Sequence, residues 1–238
     1  MIRQNRLLAV MSPQLYEKLD PHLTQISLEQ GTLLHEPGNV LEFLYFPLSC
    51  LISVTITMDN GSTAETGVIG NREILGVNAF MGGNETTQTE YIVQIAGEAV
   101  RVPAKPLLEE FDTNKELRDI LLRYTQALIA QISQTTACNR LHVLEQRLAR
   151  WLLEASERTE LSELRLTQEF MADMLGVRRA GVTQAAQKLQ SQGLIQYRSG
   201  FVKIIDRPGL EAASCECFAT VQAEYNRLLG QHQSPWLY

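Results

Sequence analysis

The stretch "LTQEFMADMLGVRRAGVTQAAQKLQSQGLI", residues 166–195, leaves few choices for the chain around it. Thr167 can cap a helix opening at Gln168, and Gly176 can take the left-handed conformation that ends it, so a helix of about two turns is predicted. A second helix is predicted from Arg178 or Arg179 to about Gln192, where Gly193 stops it. Ala172 has no bulk to hold the two helices apart, Gly176 permits the turn, and Val182 fills the space between them. Counted from Gln168 these are positions five, nine and fifteen, the offsets of a helix-turn-helix.

Placing Val182, Ala185, Ala186 and Leu189 inward turns Arg179, Ala180, Thr183, Gln184, Gln187 and Lys188 toward the exposed side. In the major groove arginine bridges guanine O6 and N7, and glutamine bridges adenine N6 and N7. Arg179 and Gln184 are therefore the candidate base readers. Arg178, Thr183 and Lys188 are candidates for phosphate, which sets register without reading sequence. "LIQYRSGFVKIID", 194–206, reads as a hairpin wing turning at Arg198-Ser199-Gly200, with Arg198 and Lys203 available to the DNA backbone. Formal net charge is −6 overall, yet residues 178–207 carry six cations against Asp206 alone. A carboxylate facing phosphate would be repelled, so this local excess predicts double-stranded DNA as partner. A winged helix used for protein contacts, in a regulatory interaction module, is the competing reading.

Upstream, "LISVTIT" (51–57) and "YIVQIAGEAVRV" (91–102) are β-branched and partly alternating, with Gly31, Gly38, Gly61, Gly70 and Gly76 marking turns. Short strands at this spacing predict an antiparallel roll or barrel. After Pro106 the period becomes helical: Leu117, Leu121, Tyr124 and Leu128 form a near-heptad stripe, the candidate seam of a homodimer. "NRLHVLEQRLARWLLEAS" (139–156) is helical again, with no low-complexity linker before it. The fold class expected is α+β: an N-terminal cupin-like antiparallel β-roll over 1–103, a dimerisation helix over 104–138, and a winged helix-turn-helix domain over 139–238.

No window approaches a membrane span and the N-terminus lacks the pattern of a signal peptide, so a cytoplasmic protein without membrane contact is expected. A metal-dependent enzyme on a cupin barrel would need clustered histidines; His35 stands alone in the strand region, which argues against catalysis. The four cysteines are too few and too scattered for a disulfide framework. Cys215 and Cys217 do not by themselves complete a tetrahedral zinc site, and no metal site is expected.

With these halves in this order, the chain resembles the Crp/Fnr family of bacterial transcription regulators from about residue 24 to about residue 206. The front half carries the likeness at "GTLLHEPG" (31–38), "LYFPLSCLISV" (44–54) and "GVIGNREILG" (67–76), the back half at 166–195. The resemblance implies a cyclic-nucleotide-binding-like roll and a homodimer on a palindromic site, its recognition helices roughly 34 Å apart. An activator would also contact RNA polymerase. Departures from the pattern bear on the effector. Cyclic-AMP-binding relatives place an Arg-Ser pair in the phosphate cassette; here "GGNETTQTEYIVQIAGE" (82–98) has no cation, and Glu85 and Glu90 flank the place. Cyclic AMP is therefore not the expected ligand, although hydroxyls and amides around Gly76, Thr86, Thr87 and Gln88 form a candidate pocket for another effector. Cys50 is the only cysteine before residue 138, which precludes an N-terminal iron–sulfur cluster, and His22, His35 and Cys50 give no convincing haem ligation. Where relatives read bases with Arg-Glu and a second Arg, this chain keeps only Arg179 beside Ala180 and Gln184, so a different operator is expected.

Overall fold

Residues 4–82 and 86–230 are described in the computed structural model of the chain. Two short helices, α1 (Arg6–Ala9) and α2 (Pro13–Leu19), are capped by Asn5 and Ser12. The buried Asn5 amide also donates to the carbonyls of Pro47 (2.9 Å) and Glu73 (2.8 Å), so the same residue that starts α1 fastens it to the roll.

The glycine-punctuated stretch forms seven antiparallel strands: β1 (Thr24–Leu28), β2 (Leu33–His35), β3 (Phe43–Pro47), β4 (Leu51–Thr57), β5 (Thr63–Ile69), β6 (Glu90–Ile95) and β7 (Gly97–Pro103). They pair as β1-β7-β3 and β2-β6-β4-β5, two sheets facing each other in a roll. The single run expected over 91–102 divides at Ala96, and its two parts enter different sheets. Alternation in β4 sends Ile52 and Val54 into the interior of the roll and Leu51 to its outer face. Leu51, Val68 and Ile95 do not meet water there, because they belong to the second core.

Past the roll come α3 (Ala104–Thr113) and α4 (Lys115–Leu141). The helix expected over 104–138 is thus two helices. Asn114, in an extended conformation, accepts from the amides of Glu116 and Leu117 and restarts the helix in a new direction. The stripe expected as a dimer seam lies within the single chain's own core. Leu117, Leu121 and Tyr124 have no exposed surface and Leu128 is buried as well. Tyr124 donates its hydroxyl to the Ile74 carbonyl (2.8 Å), and this stripe packs on its own roll.

Helix α5 (Leu144–Thr159) is buried on nearly every side, lying between the roll and the C-terminal elements. Several of its polar side chains are paired in the interior: Arg158 to Glu73 of the roll (2.9 Å), Arg150 to Glu154 (3.0 Å), and the Trp151 indole to Glu65 of β5 (2.8 Å). Gly70 lets α5 come this close, since a Cβ there would lie 2.3 Å from the Arg158 Cβ. The rest is β8 (Glu163–Arg165), α6 (Gln168–Leu175), α7 (Arg179–Ser191), β9 (Ile195–Arg198), β10 (Phe201–Ile204), α8 (Arg207–Ala213) and α9 (Cys217–Leu229). β8, β10 and β9 make a three-stranded sheet beside α7. The last helix departs from the expected division at 139. α9 returns to α4, placing Val221, Tyr225 and Leu228 in the first core, and Tyr225 donates to the Gln131 Oε1 (2.8 Å). Among the described residues no helix is long and apolar enough to cross a membrane.

Candidate nucleic-acid interface

The helix-turn-helix is assembled by the local rules that its sequence follows. The Thr167 hydroxyl accepts from the Phe170 amide (3.2 Å) and starts α6. Gly176, at φ +61°, ends it with its N–H directed to the carbonyls of Ala172 and Asp173. Ala172 and Val182 are buried between the helices, and Val182, Ala185, Ala186 and Leu189 form the inner face of α7. Arg178 takes the N-cap position with no side-chain cap, so the first amides of α7 remain available to an anion in line with the helix dipole.

On the outer face Arg179, Ala180, Gln184, Gln187 and Lys188 are exposed. Thr183 is half-buried instead. Its hydroxyl donates to Gln168 Oε1 (2.7 Å) and also lies 3.1 Å from the Arg179 carbonyl, which ties α7 to α6. Two cations have intramolecular partners: Arg179 stands 3.8 Å from Glu169 and Lys188 stands 3.3 Å from Glu145. The carboxylates missing from the local sequence are supplied across space by α6 and α5. Both pairs are exposed enough for water or a polyanion to compete.

The wing turns at Ser199 (φ 51°) and Gly200 (φ 83°), the paired positive φ values of a two-residue hairpin turn. Gln190 near the end of α7 accepts from the Tyr197 amide (2.7 Å), which ties β9 to the helix and sets the wing beside it. Arg198 is exposed at the tip. Lys203 is exposed on β10 but lies opposite Glu163 of β8, a carboxylate that shares its face of the sheet.

A cavity of about 200 Å³ lies between the roll and α4. Gly76 and Thr87 line it, together with Asn78, Thr89, Tyr91, Thr125 and an apolar wall from α4; Thr86 and Gln88 do not. Thr86 forms an isolated β-bridge with Val40, outside the strands, and Gln88 is exposed. Among the described residues none of the lining side chains is charged. Glu85, expected to flank this place, and the tail after Gly230 fall outside the described residues.

Sequence reasoning missed one constellation. The cysteines expected to be scattered are gathered by the fold: Cys138, Cys215 and Cys217 form a small buried cluster, with His142 against it. Only the Cys-x-Cys and Cys-x-x-x-His spacings could have hinted at it, and they are separated by 72 residues.

Two family models match the chain in this order: the cyclic nucleotide-binding domain over residues 25–114 and the Crp-like helix-turn-helix domain over residues 146–213. The transcriptional regulatory protein btr of Bordetella pertussis is 26% identical over 205 residues, covering 82% of this chain and 83% of its own length. A Crp/Fnr-family transcriptional regulator from Eubacterium rectale superposes with a TM-score of 0.67 at 17% identity, covering 87% of this chain and 96% of its own. The c-di-GMP-responsive global regulator CLP of Xanthomonas campestris gives 0.66 at 18% identity, over 81% and 99% respectively.

Proposed function

The chain belongs to the Crp/Fnr family of transcription regulators, and from that premise we propose that it binds a palindromic DNA site as a homodimer, in the cytoplasm, through the exposed face of α7. Exposure of Arg179 and Gln184 together on a helix whose opposite side is locked into the core carries this reading. Arg179 exchanges Glu169 for a guanine edge and Gln184 meets an adenine. Arg178, Arg198, Lys203 and the free α7 amides hold phosphates, and Lys188 joins them on leaving Glu145. Thr183 braces the two helices.

The dimer seam in this proposal is the other face of α4. Leu122 and Ile129 are more than half exposed (52% and 56%), and with Gln126, Ser133 and Thr136 they recur at spacings of four and three, as a helix paired with its own copy requires. Ile129 also lines the cavity between α4 and the roll. An effector seated there would press on a seam residue directly, which supplies a route from ligand to helix pairing and thence to the spacing of the recognition helices. The uncharged lining favours a ligand bound through hydroxyl and amide groups over a cyclic phosphate, whose charge would find no cation there.

Selection of random duplexes by the purified protein tests the proposal. A two-fold symmetric site is expected, and Arg179→Ala should cost about 1–3 kcal/mol and relax preference at one base pair of each half-site. Recovery of no duplex at low salt, or of one that the Arg179 and Gln184 variants bind with unchanged preference, would sink it in favour of a protein partner.

A further inference from the structure

The structure places four metal-binding side chains together at the elbow between α4 and α5. Cys138 is in the last turn of α4, His142 is the residue that follows it, Cys215 lies between α8 and α9, and Cys217 opens α9. Their ligand atoms all lie within 4.8 Å of one another. The Cys138 and Cys215 Sγ atoms are 3.5 Å apart, as are the Cys217 Sγ and the His142 Nδ1. A tetrahedral ion with metal–sulfur bonds of about 2.3 Å and metal–nitrogen bonds of about 2.05 Å sets these two separations at about 3.8 and 3.5 Å. An envelope of 4.8 Å accommodates one ion rather than a multinuclear cluster.

The surroundings are those of a metal centre too. His142 presents Nδ1 to the cluster while its Nε2 lies 3.3 Å from a Glu216 carboxylate oxygen, the arrangement that fixes the tautomer of a ligating imidazole and raises its basicity. Gln134 donates to the Cys217 sulfur (3.1 Å), and the guanidinium groups of Arg147 and Arg150 lie within electrostatic reach of Cys138 and Cys215. Three thiolates around a divalent ion leave one net negative charge, which these cations offset. All three thiols are buried.

We propose that Cys138, His142, Cys215 and Cys217 form a closed, four-ligand site for a divalent thiophilic ion of the zinc class. Loading exchanges three thiol protons for the ion. With every position filled by protein the site is structural, and it pins the α4–α5 elbow to the α8–α9 elbow. It thereby fixes the direction in which the α4 seam hands on to the helix-turn-helix.

Titration of the full-length protein with Co²⁺ under reductant and argon tests this without DNA, so its result is independent of the function proposed above. One equivalent per chain should produce the intense visible bands of tetrahedral thiolate-bound cobalt, be displaced by one equivalent of Zn²⁺, and raise the melting temperature. Cys217→Ser should abolish the spectrum. His142→Ala, at a partly exposed position where circular dichroism can verify the fold, should weaken binding at least tenfold. Cys50→Ser should leave all readouts unchanged. Absence of the bands in the reduced wild-type protein, their persistence in both cluster variants, acid-labile sulfide accompanying iron, or isolation under argon as a metal-free Cys138–Cys215 disulfide would each overturn the proposal.

Discussion

Glu65 is fully enclosed where β5 meets α5, accepting from the Trp151 indole and from the Ser53 hydroxyl. Burial pushes its carboxyl up to about 7 from an ordinary 4.5, with Glu154 adding to the rise and the two hydrogen bonds opposing it. In the unfolded chain the group ionises from about pH 4.5, whereas in the folded chain it keeps its proton until about pH 7. Over that window the folded state binds more protons, so its contribution to stability falls as pH rises, by about 3 kcal/mol in all. Urea denaturation at pH 5 and pH 8 should show Glu65→Gln less sensitive to this change than the wild type; parallel behaviour of the two proteins would refute the assignment. Arg158, about two turns along α5 from Trp151, is the opposite case. Glu73 and Glu154 hold its guanidinium charged although burial alone would disfavour the charge.

Among the elements, α4 shows why an apolar stripe does not declare its partner. Two stripes run along it: Leu117, Leu121, Tyr124 and Leu128 pack on the roll, while Leu122 and Ile129 are left facing solvent. Substituting Leu122→Glu together with Ile129→Glu should convert a dimer to monomers in sedimentation while the circular dichroism of each chain is preserved, and should weaken DNA binding. Leu121→Ala should instead cost about 2–5 kcal/mol of stability through the cavity it leaves, with the dimer retained. Dissociation by the second substitution and not by the first pair would return the seam to the buried stripe. The helix-turn-helix behaves differently, because its cap at Thr167, its turn at Gly176 and its plug at Val182 lie within two helices that follow each other in the chain. Thr183, whose outward helical position suggests phosphate, is bonded to Gln168 across the α6–α7 joint.

For the whole molecule, a negative protein binds a polyanion by concentrating cations on one surface, so affinity should fall steeply with salt. If Arg178, Lys188, Arg198 and Lys203 of each subunit hold phosphates, eight phosphates are neutralised per dimer and log K should fall against log salt with a slope of about −7. Arg178→Ala should make that slope shallower by about two, one for each half-site. A slope near zero in the wild type would exclude the phosphate contacts. The two cores are not separate bodies: α9 ends in the roll's core, and Leu51, Val68 and Ile95 of the roll complete the other. Movement of the recognition helix relative to α4 must therefore disturb α5 and its buried pairs, not merely a linker. The strands, the helix-turn-helix and the exposure of Arg179 and Gln184 on it were legible in the amino-acid order, because Thr167, Gly176, Val182 and the β-alternation act over a few turns or a few residues of chain. Four features depended on the fold. These are the solvent-facing stripe of α4, the carboxylates opposite Arg179 and Lys188, the cavity wall at Ile129, and the meeting of His142 with Cys215. Each requires segments distant in sequence to be packed together, and periodicity along a chain specifies which residues share a face but not what that face will meet.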